Sequence, residues 1–493
     1  MIASFLPEPE LEFGHSGRHI DIRYGLMQFG PLDAGTDRSP QQIRLGMVGT
    51  ANTLEGLGKW LAKCEGGLPA KQGKYPDLFP RFPGFGLASP FASELVTAAR
   101  MSRTISSREI NRLTAATPGN TLVNDAVDLL VSEAKHLAEM SKPDVVIYAP
   151  PADLMAKLDE SVSGWFVARK HRRWHPGSEE ERPADEVPPA QFHDVLKAKS
   201  MSFGVPVQMV RPETYDPTQR RFQKGRPEKQ KATQDEATRA WNFHTALYYK
   251  AGGTPWRLLQ APSALTTCYV GVSFYKAADG DRLLTSMAQV FNELGDGVIV
   301  RGGPALLDKD DRQAHLRSDD AETLLRDAMA AYRREHRTLP ARVVVHKTSS
   351  FNRAELDGFQ AAADSQQLEV LELLALRKSG VRLLRSGTYP PLRGTLLELD
   401  TDLALLYAKG SVDFFKVYPG MYVPRALEFR AAAAEGPLSF LAAEILALSK
   451  MNWNNTQFDG GEPITTRAAR QVADILRHVP EGSEPLARYA FYM

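Results

Sequence analysis

Two stretches, QFHDVLKAKSMSFGVPVQMV (residues 191–210) and WNFHTALYYKAGGTPWRL (residues 241–258), hold the residues whose reading decides the fold. His193 and Lys197 are four apart, so on a helix they share one face. Gln208 sits in the apolar run VPVQMV, which reads as a short buried strand. Lys250 ends an amphipathic helix that Gly252, Gly253 and Pro255 stop. An imidazole and three long donor side chains from separate elements can then converge on one anion of phosphate size. Taken singly the pieces are ordinary. A His and a Lys at this spacing recur by chance, and a Lys at a helix C-terminus already gains from the macrodipole.

Charged inserts lie within and ahead of this region. Residues 168–183 (ARKHRRWHPGSEEERP) and 217–233 (PTQRRFQKGRPEKQKAT) lack apolar periodicity, so both read as surface loops. They are either solvated charge or contacts to a phosphate backbone, the second being the more basic. Upstream, residues 43–50 (IRLGMVGT) read as a strand ending in a Gly turn, followed by a helix. The turn lacks the Lys-Ser/Thr pair of a phosphate loop. Residues 75–91 are a Pro/Phe/Gly-rich irregular loop, residues 123–140 an amphipathic helix, and DVVIY (144–148) a buried strand that completes an α/β unit.

Downstream the texture changes. TTCYVGVSFYK (266–276), GDGVIVRGG (295–303) and ARVVVH (341–346) read as strands. Helices are expected over residues 319–335 and from Asn352. LEVLELLAL, a strand pair around TLLELDTDLALLYAKG, and VDFFKVYPG follow. Two helices, residues 437–450 and 466–478, finish the chain. Hairpins ahead of terminal helices predict a mixed sheet. The expected class is therefore α/β.

A chain of 493 residues suits two to four domains with ample core. Sixty basic and 59 acidic residues leave a net charge of +1, so any basic surface is local. Two cysteines, Cys64 and Cys268, exclude a disulfide framework or a zinc signature and fit a reducing cytoplasm. The start, MIASFLPEPELEFG, is not a signal peptide, and no run of ~18 apolar residues is present to span a bilayer.

The ordered set formed by His193, Lys197, Gln208 and Lys250 with WNFHTALYYKAGGTPW, then CYVGVSFYK, VVVHKTSSFNRAEL and MNWNNTQFDGGEPITTRAARQVADIL, resembles a short prokaryotic Argonaute, the class with MID and PIWI domains but no PAZ domain. The resemblance covers roughly residues 140–493. It implies a Rossmann-like MID domain over 141–262 and an RNase H-like PIWI domain over 263–493. Residues 1–140 are left as an unassigned N-terminal α/β region that packs on one or both. The resemblance further implies that His193, Lys197, Gln208 and Lys250 bind the 5′-phosphate of a guide strand. His193 stands where family members usually have Tyr, and it either stacks on the first base or donates to the phosphate. The Met493 carboxylate, with Gln208, is the expected holder of a Mg²⁺ at that phosphate.

In the PIWI domain the family's metal-binding acids fall on Ser273, Thr348 and Arg470. Hydroxyls and a guanidinium do not replace carboxylates as ligands of hard cations. The expectation is a non-cleaving protein that loads a guide RNA, recognises complementary single-stranded DNA, and activates a separate APAZ-containing effector. That effector would be a sirtuin-like or TIR NADase or a nuclease, acting in cytoplasmic immunity against plasmids or phage. Two other readings stand beside it: a guided endonuclease with unrecognised acids, and a Rossmann-like small-molecule enzyme.

Overall fold

Val145–Ala149 is buried at all five positions, as a strand covered on both faces must be. In this computed structural model it pairs in parallel with Gln42–Gly49 on one side and Val207–Met209 on the other. Glu94–Val96 and Ser102–Thr104 extend the sheet, both parallel to Gln42–Gly49. The structure describes the chain apart from residues 173–189, 220, 224–225, 232, 260–264, 278–281, 291–297, 309, 385, 387–389, 416, 419–422, 458–459 and 481–485.

Strand alternation sorts this sheet's two covers. Val145 and Ile147 pack with Leu57, Trp60 and Cys64 of the helix Ala51–Glu65, and with Trp241 and Leu247 of the helix Glu236–Lys250. Val146 and Tyr148 pack with the helix Asn120–Ser141 through Leu122, Val127 and Leu137, and with Phe192 and Leu196 of the helix Phe192–Ser200. This is a doubly wound layer. Its first strand comes from residues 42–49, so the division expected at residue 140 falls inside one layer rather than between two. The Gly turn after that strand is closed by its own chain. Thr50 and Thr53 form a capping box, and the Thr53 hydroxyl donates to the Ala149 carbonyl at 2.7 Å.

The second sheet has nine strands, in the order Ile2–Phe5, Thr395–Glu398, Leu403–Leu406, Leu427–Ala433, Val370–Lys378, Arg342–Lys347, Thr267–Lys276, Leu283–Val290 and Val298–Pro304. Arg342–Lys347 is parallel to both its neighbours, and the other pairs are antiparallel, so the sheet is mixed as expected. Cys268, Val270 and Val272 face the helices Ser318–His336 and Arg353–Gln366. Tyr269 and Leu374 lie in the core shared with the helices Leu438–Leu448 and Ile464–Leu476. That core runs on into the first sheet. Trp453 Nε1 donates to the Trp256 carbonyl and Trp256 Nε1 to the Lys450 carbonyl, each at 3.2 Å.

The N-terminal strand joins the second sheet rather than the first, and Glu8 pins it there. Its carboxylate meets Arg393 at 3.0 Å and Lys450 at 2.9 Å, both cations being fully buried. Residues 217–233 were expected as a loop, but they carry a two-stranded ribbon, Arg221–Gln223 against Arg226–Lys231. The other insert continues the helix Ala152–Arg172, and its remainder falls outside the described residues. Among the described residues of VDFFKVYPG, Val412 and Val417 form a β-bridge. No helix among the described residues is long and apolar enough to cross a membrane.

At the end of Arg342–Lys347, the buried Lys347 ammonium meets Glu355 at 2.5 Å. Glu355 also accepts from the Leu316 amide at 2.8 Å, from the Asn352 amide at 3.0 Å, and from His315 at 3.0 Å. Removing the carboxylate while leaving the cation buried costs about 3–5 kcal/mol. Glu355→Ala is therefore expected to lower the urea midpoint sharply. Adding Lys347→Met should recover part of the loss, and chemical denaturation of the single and double variants checks both.

Candidate anion-binding pocket

The helix Phe192–Ser200 buries Phe192, Val195 and Leu196, at i, i+3 and i+4, against the first sheet. That orientation carries Lys197 inward, to 2% exposure. Gly204, at φ +66, turns the chain back into the strand that carries Gln208. Glu236–Lys250 ends at Lys250, also 2% exposed. Gly252 at φ +103 closes this end. A Cβ on Gly253 would sit 2.2 Å from the Tyr248 ring, so only glycine fits there.

Lys197, Gln208 and Lys250 come together. Lys250 Nζ donates to Gln208 Oε1. Lys197 Nζ donates to the Val207 carbonyl at 2.6 Å and to the main-chain oxygen of Met493. Met493 is 3% exposed and Tyr492 1%, so the chain's last residues are packed into the pocket. Among the described residues no side-chain carboxylate pairs with either lysine. Burial pushes Lys197 down to about 7. Burial, reinforced by the neighbouring Lys197 charge, holds Lys250 well below its ordinary value. The two ammonium groups face the Gln208 amide oxygen, the Val207 carbonyl and an oxygen of Met493, a donor-rich pocket that can accept an anion of phosphate size.

His193 does not join this set. Its side chain is 45% exposed and its Nδ1 lies 3.0 Å from Asp194 Oδ1. Lys199 points elsewhere, to Asp128 at 2.6 Å. Sequence reading missed the Val207 carbonyl, which no pattern signals, and Asp194. The charge of Asp194 is felt by Asp474 and His478 on the C-terminal side of the molecule. The expected Mg²⁺ does not suit this donor set. The two oxygens assigned to it, on Gln208 and Met493, each accept from an ammonium group, and two ammonium groups oppose a divalent cation.

The depressed lysines give a pH dependence. In the unfolded chain a lysine titrates near 10.5, and folded Lys197 near 7. Between those values the unfolded state binds more protons, so the anion-free protein is expected to gain stability as pH rises from about 7 toward 10.5. Binding of a phosphomonoester needs the charged lysines, so it should weaken over the same window and take up protons. Isothermal titration in buffers of different ionisation enthalpy measures that uptake.

The three positions read as degenerate metal sites are also placed. Ser273 is 3% exposed and faces Ser286 across the strand pair. Val272 pairs with Lys347, and the Thr348 amide donates to the Val272 carbonyl at 3.2 Å, which puts Thr348 beside Ser273. Arg470, on Ile464–Leu476, donates to Glu462. Among the described residues no group of three or more His, Cys, Asp or Glu side chains is arranged to hold a metal ion. Asp357 and Asp402 pair with Arg353 and Arg430 on the surface.

No protein-family model matches the chain, and no curated protein is similar to it in sequence. Solved structures are similar to it in fold. Clostridium butyricum Argonaute bound to a guide DNA and a 19-mer target DNA superposes with a TM-score of 0.62 at 14% identity, over 98% of this chain and 53% of that one. Drosophila Piwi gives 0.59 at 11% identity, over 99% and 56%. A. aeolicus Argonaute gives 0.56 at 14% identity, over 98% and 54%. The chain spans about half the length of these structures. Its doubly wound layer and nine-stranded mixed sheet make up a mixed α/β fold similar to that of these Argonaute structures.

Proposed function

We propose that this chain holds the 5′-phosphorylated end of a guide strand, RNA being the favoured chemistry, and presents it to complementary single-stranded DNA without cutting the target. The observation that carries this reading is the pair of buried lysines, Lys197 and Lys250, converging with Gln208 and lacking a side-chain carboxylate. Sequence specificity then comes from base pairing, and the protein supplies the anchor. Ser273, Thr348 and Arg470 support a binding role, because none of them is a ligand for a hard cation.

A chain that binds and does not cut needs an effector to act on what it recognises. We take that effector to be a separate APAZ-containing protein with NADase or nuclease activity, in defence against plasmids or phage. The test compares 5′-phosphate and 5′-hydroxyl guides of one sequence in filter binding, with and without EDTA. The phosphorylated guide should bind more tightly, and the chelator should leave its affinity unchanged. Equal affinity for the two guides refutes the pocket's role. A loss on chelation restores the metal that the lysines were argued to exclude.

A further inference from the structure

The end of Glu236–Lys250 and the turn after it set where the Lys250 ammonium lies, and one carboxylate from far upstream grips both. That carboxylate is Asp33, 7% exposed. Tyr248, just ahead of Lys250, donates its hydroxyl to Asp33 Oδ1 at 2.6 Å. The Thr254 amide, just beyond Lys250, donates to Asp33 Oδ2 at 2.9 Å. The Leu32 amide donates to the Pro255 carbonyl at 3.0 Å, so the two stretches of backbone are also joined directly. Asp33 is itself fixed in a turn. Gly30 enters it at φ +72, and the Asp33 carbonyl accepts from the Thr36 amide at 3.0 Å and from the Thr36 hydroxyl at 2.8 Å. An ionised Asp offers an acceptor at both carboxyl oxygens, whereas Asn offers one. Burial pushes Asp33 up, against the opposing pull of the Tyr248 and Thr254 hydrogen bonds. A carboxylate so far from water is costly, and here it ties the two flanks of Lys250 to one point.

We propose that Asp33 is a positioning residue for the anion pocket, holding both flanks of Lys250 so that its ammonium stays beside Gln208 and faces the bound phosphate. This rests on the guide-end reading above and extends it to residues 31–39, which lie outside the stretch that carries the Argonaute resemblance. The need for such a hold comes from inside the pocket. The Lys197 charge repels Lys250, so a loosened turn lets the Lys250 ammonium withdraw. Asp33 acts through Lys250 alone and does not itself meet the phosphate.

Filter binding of 5′-phosphate and 5′-hydroxyl guides of one sequence to the full chain tests this. Asp33→Asn should weaken the phosphorylated guide by about 10-fold and leave the hydroxyl guide unchanged. Tyr248→Phe keeps the ring and removes one donor, and it should act in the same direction. In a Lys250→Met background Asp33→Asn should not change the ratio of the two affinities further. Glu8→Gln loosens the N-terminal segment at its other anchor, and it should lower the melting temperature while leaving the ratio at the wild-type value. Circular dichroism shows that each variant is folded. The proposal is overturned if Asp33→Asn and Tyr248→Phe both keep the wild-type ratio, or if they weaken both guides alike. It is equally overturned if Asp33→Asn lowers the ratio as much in the Lys250→Met background, or if Glu8→Gln lowers it as much as Asp33→Asn does. A wild type with no preference for the phosphorylated guide sinks the pocket reading and this proposal together. A wild-type preference that Asp33→Asn leaves intact sinks the positioning role alone.

Discussion

Lys197→Ala/Lys250→Ala is expected to erase the preference for a 5′-phosphorylated guide. Each ammonium gives the phosphate a charge-assisted hydrogen bond worth about 1.5–3 kcal/mol. Losing both removes about 3–6 kcal/mol, or about 150- to 20,000-fold in affinity. The residual affinity should equal that of the 5′-hydroxyl guide, because contacts along the backbone are untouched. Filter binding of both guides to both proteins reads this out directly.

The same substitutions should behave unusually in the guide-free protein. Removing a buried, fully paired cation normally destabilises a fold. Here the two cations are buried beside each other, facing Gln208 and main-chain oxygens. Lys250→Met keeps the volume and removes the repulsion and the desolvation penalty. Its melting temperature should match or exceed that of the wild type while guide affinity falls. A melting temperature several degrees lower would mean that Lys250 is a structural residue, and the anion argument would fail with it.

How far the sequence carried this reading depends on the kind of signal. Strands buried on both faces were legible because their apolar runs leave no alternative, as Val145–Ala149 and Arg342–Lys347 illustrate. Helix ends were legible where capping chemistry marked them, as at Asn352. What was not legible is long-range pairing. Nothing local in residues 42–49 says that they pair with residues 145–149, about a hundred positions on, so the boundary at 140 had no signal against it. Nor does MIASF announce that it adds to a strand beginning at Thr395. The lysine pocket was legible because Lys250 ends a helix that glycines stop, Lys197 lies in the last turn of its helix, and Gln208 interrupts a short apolar strand. His193 was read into it from its spacing to Lys197 and from the family resemblance. Being four apart puts two side chains on one helix face, but His193 in the first turn of Phe192–Ser200 reaches solvent while Lys197, one turn on, is buried. That difference between turns is a matter of tertiary packing, which periodicity does not encode.

Guide-loaded protein incubated with complementary DNA and Mg²⁺ or Mn²⁺ is expected to leave the target intact. Two-metal hydrolysis requires carboxylates on neighbouring strands, close enough to share a pair of cations about 4 Å apart. The geometry for such a cluster is present, since Thr348 lies beside Ser273 and the helix carrying Arg470 packs across the same strands. The side chains are the wrong ones. A hydroxyl offers a neutral oxygen and no charge compensation, and a guanidinium adds positive charge where a divalent cation would sit. Arg470 is moreover engaged by Glu462, a carboxylate close by that is thereby spent on an ion pair. Metal-dependent catalysis is worth on the order of a million-fold or more in rate, so its presence or absence is plain on the scale of a gel assay. Ser273→Asp/Thr348→Asp supplies the positive comparison. Two carboxylates on adjacent strands should capture Mn²⁺, visible by electron paramagnetic resonance, where the wild type shows none at this site. Guide-directed cleavage by the wild-type chain alone would show that acids elsewhere assemble a working centre, and the binding-only reading would be withdrawn.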